Sequence, residues 1–99
     1  MEVASMLIVR LLREKNDRVP IIIENIITIF LILEGQGMDG YTLMNRTGLS
    51  KEDLTESIRE ILKEINLIIM EGEFNQIGKA YFCCKPGISE SWRYRIGVI

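Results

Sequence analysis

The run Gly40-Tyr-Thr-Leu-Met-Asn-Arg-Thr-Gly-Leu-Ser50 decides how the chain folds, because it sets a short helical segment between two stops. Tyr41 to Arg46 reads as that segment, with Tyr41, Leu43 and Met44 as its apolar side. Gly48 supplies the positive φ that ends it. Leu49 then tucks inward, and Ser50 with Asp53 three residues on is a near match to a capping box, so a new helix starts there. Over Ser50 to Ile65 the apolar positions Leu54, Ile58, Ile61, Leu62 and Ile65 repeat at about 3.6 residues. One face is expected to be buried, leaving Lys51, Glu52, Thr55, Glu56, Arg59 and Lys63 on the other.

Downstream, Asn66 can take the left-handed conformation that closes a helix, and Leu67 to Met70 is rich in β-branched residues, so the period changes to that of a strand. Glu71 to Gly78 reads as a turn. Lys79 to Lys85, carrying Tyr81, Phe82, Cys83 and Cys84, reads as the second strand of a hairpin. Pro86-Gly87 closes the hairpin, and Ile88 to Ile99 is either a short helix with Ser89 near its cap or an irregular tail that packs Trp92 and Ile96. Upstream, Gly35-Gln-Gly37 ends a helix and Met38-Asp39-Gly40 carries the chain through a turn. Ile21 to Leu33 is apolar on nearly every side, with Pro20 tolerated in its first turn, and is the expected central helix. From Glu2 to about Asn16, Val3, Met6, Leu7, Val9, Leu11 and Leu12 recur mostly at helical spacing, and Val19-Pro20 forces a short link after them.

Composition narrows the function classes. A chain of 99 residues, 47% apolar and 26% charged, has the size and apolar content of one globular domain that needs no disulfide or metal. Ile21 to Leu33 is shorter than the roughly twenty apolar residues of a membrane span. The first residues reverse a signal peptide's order of charge then hydrophobe, so the expectation is an intracellular, cytoplasmic protein with no membrane partner. There is no histidine, and Cys83 and Cys84 are neighbours that point to opposite faces of a strand. Zinc and haem ligand sets, His-based acid–base catalysis and a nucleophile–base pair are therefore missing, as is a phosphate-cradling glycine loop, so the reading is not an enzyme and implies no cofactor. The net charge of −2 offers no global attraction to a polyanion. The charge is uneven: Arg10, Arg13, Lys15 and Arg18 gather near the N-terminus, Lys79, Lys85, Arg93 and Arg95 near the other end, and acids fill the middle.

The order of elements, together with Gly40 to Ser50 and the stretch from Ile58 to Asn66-Leu67-Ile68, resembles the winged helix-turn-helix family, and in particular MarR-like transcriptional regulators. Asn66 stands where that family usually has a glycine. The resemblance covers roughly residues 25 to 87. It implies an α+β, mostly helical fold in which a three-helix core carries a β-hairpin wing, with an additional N-terminal helix. On this reading residues 1–18 are the extra helix, 20–66 the core with the helix-turn-helix, 67–86 the wing and 87–99 a C-terminal segment. It also implies a regulator that binds double-stranded DNA as a homodimer through terminal helices, with no effector ligand identified.

On that pattern the helix from Ser50 to Ile65 enters the major groove, and its solvent side holds the readers. Lys51, Thr55 and Arg59 suit guanine, thymine methyl or phosphate contact, and Lys63 shares their face. Arg46 and Thr47 precede the turn and are placed to donate to phosphates, although the Thr47 hydroxyl serves equally well as a cap for the turn. Asn75, Gln76 and Lys79 are the wing's candidates for backbone or minor-groove contact. Against this, Glu52, Asp53, Glu56, Glu60 and Glu64 make the same helix more negative than positive. Its charges are also those of an ordinary solvated face held by intrahelical pairs such as Glu52 with Lys51 and Glu56 with Arg59. The alternative function is a winged-helix protein–protein interaction module. Tyr81, Phe82, Trp92 and Tyr94 read as core packing rather than a stacking platform for bases. Cys83 and Cys84 read as inert strand residues rather than a redox switch.

Overall fold

The computed structural model describes residues 3–14, 16–63 and 67–85. The chain is mostly helical, with a three-stranded antiparallel sheet. Helix α1 spans Val3–Arg13 and α2 Val19–Leu33. A two-residue strand β1, Met38–Asp39, leads into α3, Gly40–Thr47, and α4, Lys51–Leu62, follows. Strand β2 is Ile68–Glu71, two short 3₁₀ turns occupy Phe74–Lys79, and β3 is Tyr81–Cys84. No helix of the described residues is long and apolar enough to cross a membrane.

Helix α2 is the centre. Its Val19, Ile22, Ile26, Ile29, Phe30 and Leu33 are buried in one continuous cluster with Leu7 and Leu11 of α1, Leu43 of α3, Leu54, Ile58 and Ile61 of α4, and Leu67, Ile68, Ile77 and Phe82. Burial of each such side chain contributes about 1.5–3 kcal/mol, so this cluster rather than any polar contact holds the helices on the sheet. The α4 stripe takes in Ser57 where the periodicity placed only apolar residues. Ser57 Oγ and Asn25 Nδ2 of α2 are buried without a hydrogen-bond partner among the described residues.

The local signals around Gly40 to Ser50 act as their chemistry dictates. Asp39 caps α3, its carboxylate accepting from the Thr42 N–H at 2.7 Å. Gly48 sits at φ 76° and its N–H donates to the Met44 carbonyl. Ser50 Oγ accepts from the Asp53 N–H at 3.1 Å and starts α4.

Five expectations are corrected. Met38–Asp39, read as turn, is a strand: β3 lies between β1 and β2, with Met38 opposite Phe82 and Met70 opposite Phe82 on the other side. Glu71 to Gly78, read as a plain turn, contains the 3₁₀ turns, kinked at Gln76 and anchored by the fully buried Ile77. Tyr41 is 62% exposed, because its ring lies over the backbone of Gly78 on the surface instead of entering the core. Leu12 and Leu62 are exposed at 65% and 39%. At about 100° per residue, Leu12 is rotated about 140° from Leu7 and Leu62 about 80° from Leu54, beyond or at the edge of each buried stripe. Tyr81 also faces outward while Phe82 is buried, as alternation along a strand requires. The expected run of α4 to Ile65, the stop at Asn66, Lys15, Pro86-Gly87, and the tail with Ser89, Trp92, Tyr94 and Ile96 lie outside the described residues.

Candidate functional site

Burial of Leu54, Ser57, Ile58 and Ile61 fixes which side of α4 faces out. Lys51, Glu52, Thr55, Glu56, Arg59, Glu60 and Lys63 of that side, with Phe74 from the 3₁₀ turns, line an open groove of about 610 Å³ along the helix. The sequence's candidates Lys51, Thr55, Arg59 and Lys63 are thus brought to one place, and Arg46, Thr47, Asn75, Gln76 and Lys79 are not.

The acids of this helix are not left unopposed. Arg18, at the start of α2, forks onto Glu56, with Nη2 2.7 Å from Oε1 and Nε 3.0 Å from Oε2, and also reaches Asp53 at 3.4 Å. Hydrogen bonding to Glu56 and the charge of that carboxylate, with Asp53 adding to both, hold the Arg18 proton more firmly than usual. Glu60 is met from two sides. Lys63 Nζ lies 2.8 Å away, and Arg10 of α1 reaches both the carboxylate, at 3.4 Å, and the backbone carbonyl, at 3.0 Å. Arg10 also pairs with Glu14 one turn along. Asp53, Glu56 and Glu60 are therefore compensated by cations from α1, from the start of α2 and from α4 itself, whereas Glu52 has no ion pair among the described residues. The expected intrahelical pairs of Glu52 with Lys51 and Glu56 with Arg59 are not formed.

The predicted readers separate on this geometry. Lys51 is exposed and outside any ion pair among the described residues. The Arg59 guanidinium lies 4.2 Å over the Phe74 ring, and the residue remains exposed along the groove. Thr55 is half-buried and its hydroxyl donates back to the Lys51 carbonyl at 2.8 Å, so its only proton is used inside the helix. Lys63 is taken up by Glu60. The Thr47 hydroxyl donates to the Leu43 carbonyl at 2.7 Å and accepts from the Leu49 N–H at 3.3 Å. It thus caps the turn and has no proton left for a phosphate. Arg46 is exposed in the last turn of α3 and lines neither this groove nor the cavity described next.

Asn75, Gln76 and Lys79 do not project from the sheet. The 3₁₀ turns fold back over α3, and with Tyr41, Met44, Lys51, Ile77 and Gly78 these three residues line a second cavity of about 170 Å³. Close approach is possible because two positions lack a side chain. A Cβ at Gly40 would collide with the Ile77 carbonyl, and one at Gly78 with the Tyr41 ring. Lys51 borders both cavities and joins them.

Sequence reasoning missed Arg10, Arg18 and Phe74. The clustering of basic residues near the N-terminus was visible, but pairings across 38 and 50 positions leave no periodic trace in a single sequence. Elsewhere, Cys83 and Cys84 are free and half-buried. Burial pushes the Cys84 thiol up to about 11, with the charges of Cys83 and Glu34 adding to it, so at neutral pH it is a protonated thiol and a poor nucleophile. Among the described residues no group of three His, Cys, Asp or Glu side chains could hold a metal ion.

Compared with known proteins, the chain matches no protein-family model, no curated protein and no solved structure.

Proposed function

We propose that the chain is a cytoplasmic winged helix-turn-helix transcription regulator that binds double-stranded DNA as a homodimer, with α4 entering the major groove. The observation that carries this reading is the disposal of charge on α4. Asp53, Glu56 and Glu60 are compensated by Arg18, Arg10 and Lys63, while Lys51 and Arg59 stay along the open face. A carboxylate already paired repels phosphate less, so the acidic composition of the helix weighs less against DNA than its count suggests. Arg59, held over Phe74, is the base-edge reader. Lys51 and Arg46 are phosphate contacts, and Thr47 is a turn cap that positions them. For the dimer, the exposed Leu12 on α1 supplies an apolar anchor. Sedimentation equilibrium checks this part: Leu12→Asp is expected to shift the dimer to monomer, and an unchanged mass places the interface elsewhere. Fluorescence anisotropy with labelled duplex DNA over a salt series tests binding itself.

One observation favours a second reading, a module that docks protein. The groove on α4 has an aromatic side chain, Phe74, in its lining and an uncompensated Glu52 at its rim. If duplex DNA fails to bind at the lowest salt, this reading replaces the first.

A further inference from the structure

The cavity between α3, the start of α4 and the 3₁₀ turns has a chemistry different from that of the larger groove. Its lining residues that carry polar side chains are Lys51, Lys79, Asn75, Gln76 and Tyr41, and no acidic residue is among them. Neither lysine is in an ion pair among the described residues, in a molecule whose arginines Arg10 and Arg18 are both taken by acids. The walls are fixed. Ile77 is fully buried beneath the turns, its carbonyl packs where Gly40 has no side chain, and the Tyr41 ring rests on Gly78. The volume of about 170 Å³ is that of roughly six waters at ~30 Å³ each, enough for one tetrahedral oxyanion with its first waters.

We infer that this cavity is a seat for a single phosphate group, with Lys51 and Lys79 neutralising it and Asn75, Gln76 and Tyr41 donating to its oxygens. Cations and neutral donors converging without a competing acid select a compact anion, since each hydrogen bond to a charged oxygen is stronger than one between neutral groups. The fold-back of the 3₁₀ turns creates the seat. A loop projecting from the strands would leave Lys79 far from Lys51. The seat does not depend on duplex binding. The phosphate is either carried by a nucleic-acid backbone or arrives free, and the same chemistry receives both.

The test is a titration of the folded chain with inorganic phosphate, against chloride at matched ionic strength, followed by backbone amide chemical shifts. Saturable shifts are expected at Lys51, Gln76, Gly78 and Lys79, with affinity reduced about tenfold in Lys79→Gln and retained in Lys79→Arg. Shifts that do not saturate, or that are equally large at the exposed Arg46 and Lys63, overturn the seat. So does unchanged phosphate affinity in both Lys79→Gln and Lys51→Gln. A second arm measures duplex DNA. A salt slope reduced by about 0.9 in Lys79→Gln assigns the phosphate to the DNA backbone, and an unchanged slope beside the tenfold loss of phosphate affinity assigns it to a free anion. Saturable phosphate binding without any duplex binding supports the seat and removes the DNA reading, so the two proposals fail separately.

Discussion

Asp39 does two jobs at once: its backbone belongs to β1, paired with Tyr81 of β3, and its side chain caps α3. The Thr42 N–H bond holds the Asp39 carboxyl below its ordinary value of 3.8, and the exposed setting leaves no large desolvation to offset that. A carboxylate with a depressed folded pKa contributes its stability in full above the unfolded value and loses it as pH falls through the folded one. Thermal melts should therefore show part of the acid destabilisation below about pH 3.8 arising here. Asp39→Asn keeps a capping oxygen but cannot titrate, and should flatten that part of the profile. An Asp39→Asn variant with the same acid profile as the parent would show that the cap is not coupled to folding. At the same scale Thr47 and Thr55 show why exposed hydroxyls are weak functional signals. Both protons go to carbonyls one turn back, a choice that residue type alone does not reveal.

Among the elements, the joint between α3 and the 3₁₀ turns leaves no room for a side chain at Gly40. Alanine is normally the better helix former, so Gly40→Ala would stabilise α3 if space allowed. Here the new Cβ meets the Ile77 carbonyl and the Gly78 backbone, neither of which can rotate away. Denaturant unfolding should show a loss of about 1–3 kcal/mol for Gly40→Ala, the usual cost of overpacking. Equal or greater stability would mean the turns are not pressed onto α3. What could be read in advance follows the same division between local and distant. Ser50, Asp53 and Gly48 announce the start of α4 and the turn before it because caps and positive φ act within four residues. The change of period after Asn66 announces the hairpin in the same way. Strand β1 was not legible, since two residues show no alternation and Met38–Asp39 becomes a strand only through β3. The outward turn of Tyr41 and the inward one of Ser57 were not legible either, because each is decided by what packs opposite.

For the molecule as a whole, α1 and the start of α2 act as a cationic frame around an acidic helix. Arg18 holds the first turns of α4 and Arg10 its last described one, so the net charge of −2 is a poor guide to the field in front of Lys51 and Arg59. Composition alone set acids against cations on one helix. The fold assigns Asp53, Glu56 and Glu60 a partner and leaves Lys51 and Arg59 facing solvent, a distribution that needs contacts between residues far apart in the chain.

The salt dependence of duplex binding tests the central claim most directly. Fluorescence anisotropy with a labelled random duplex should give an affinity that falls linearly in log–log form with salt, and Lys51→Gln should lower the slope by about 0.9. Absence of binding at the lowest salt, or a slope unchanged in Lys51→Gln and Arg59→Gln alike, would contradict the account of α4 as the DNA-facing helix.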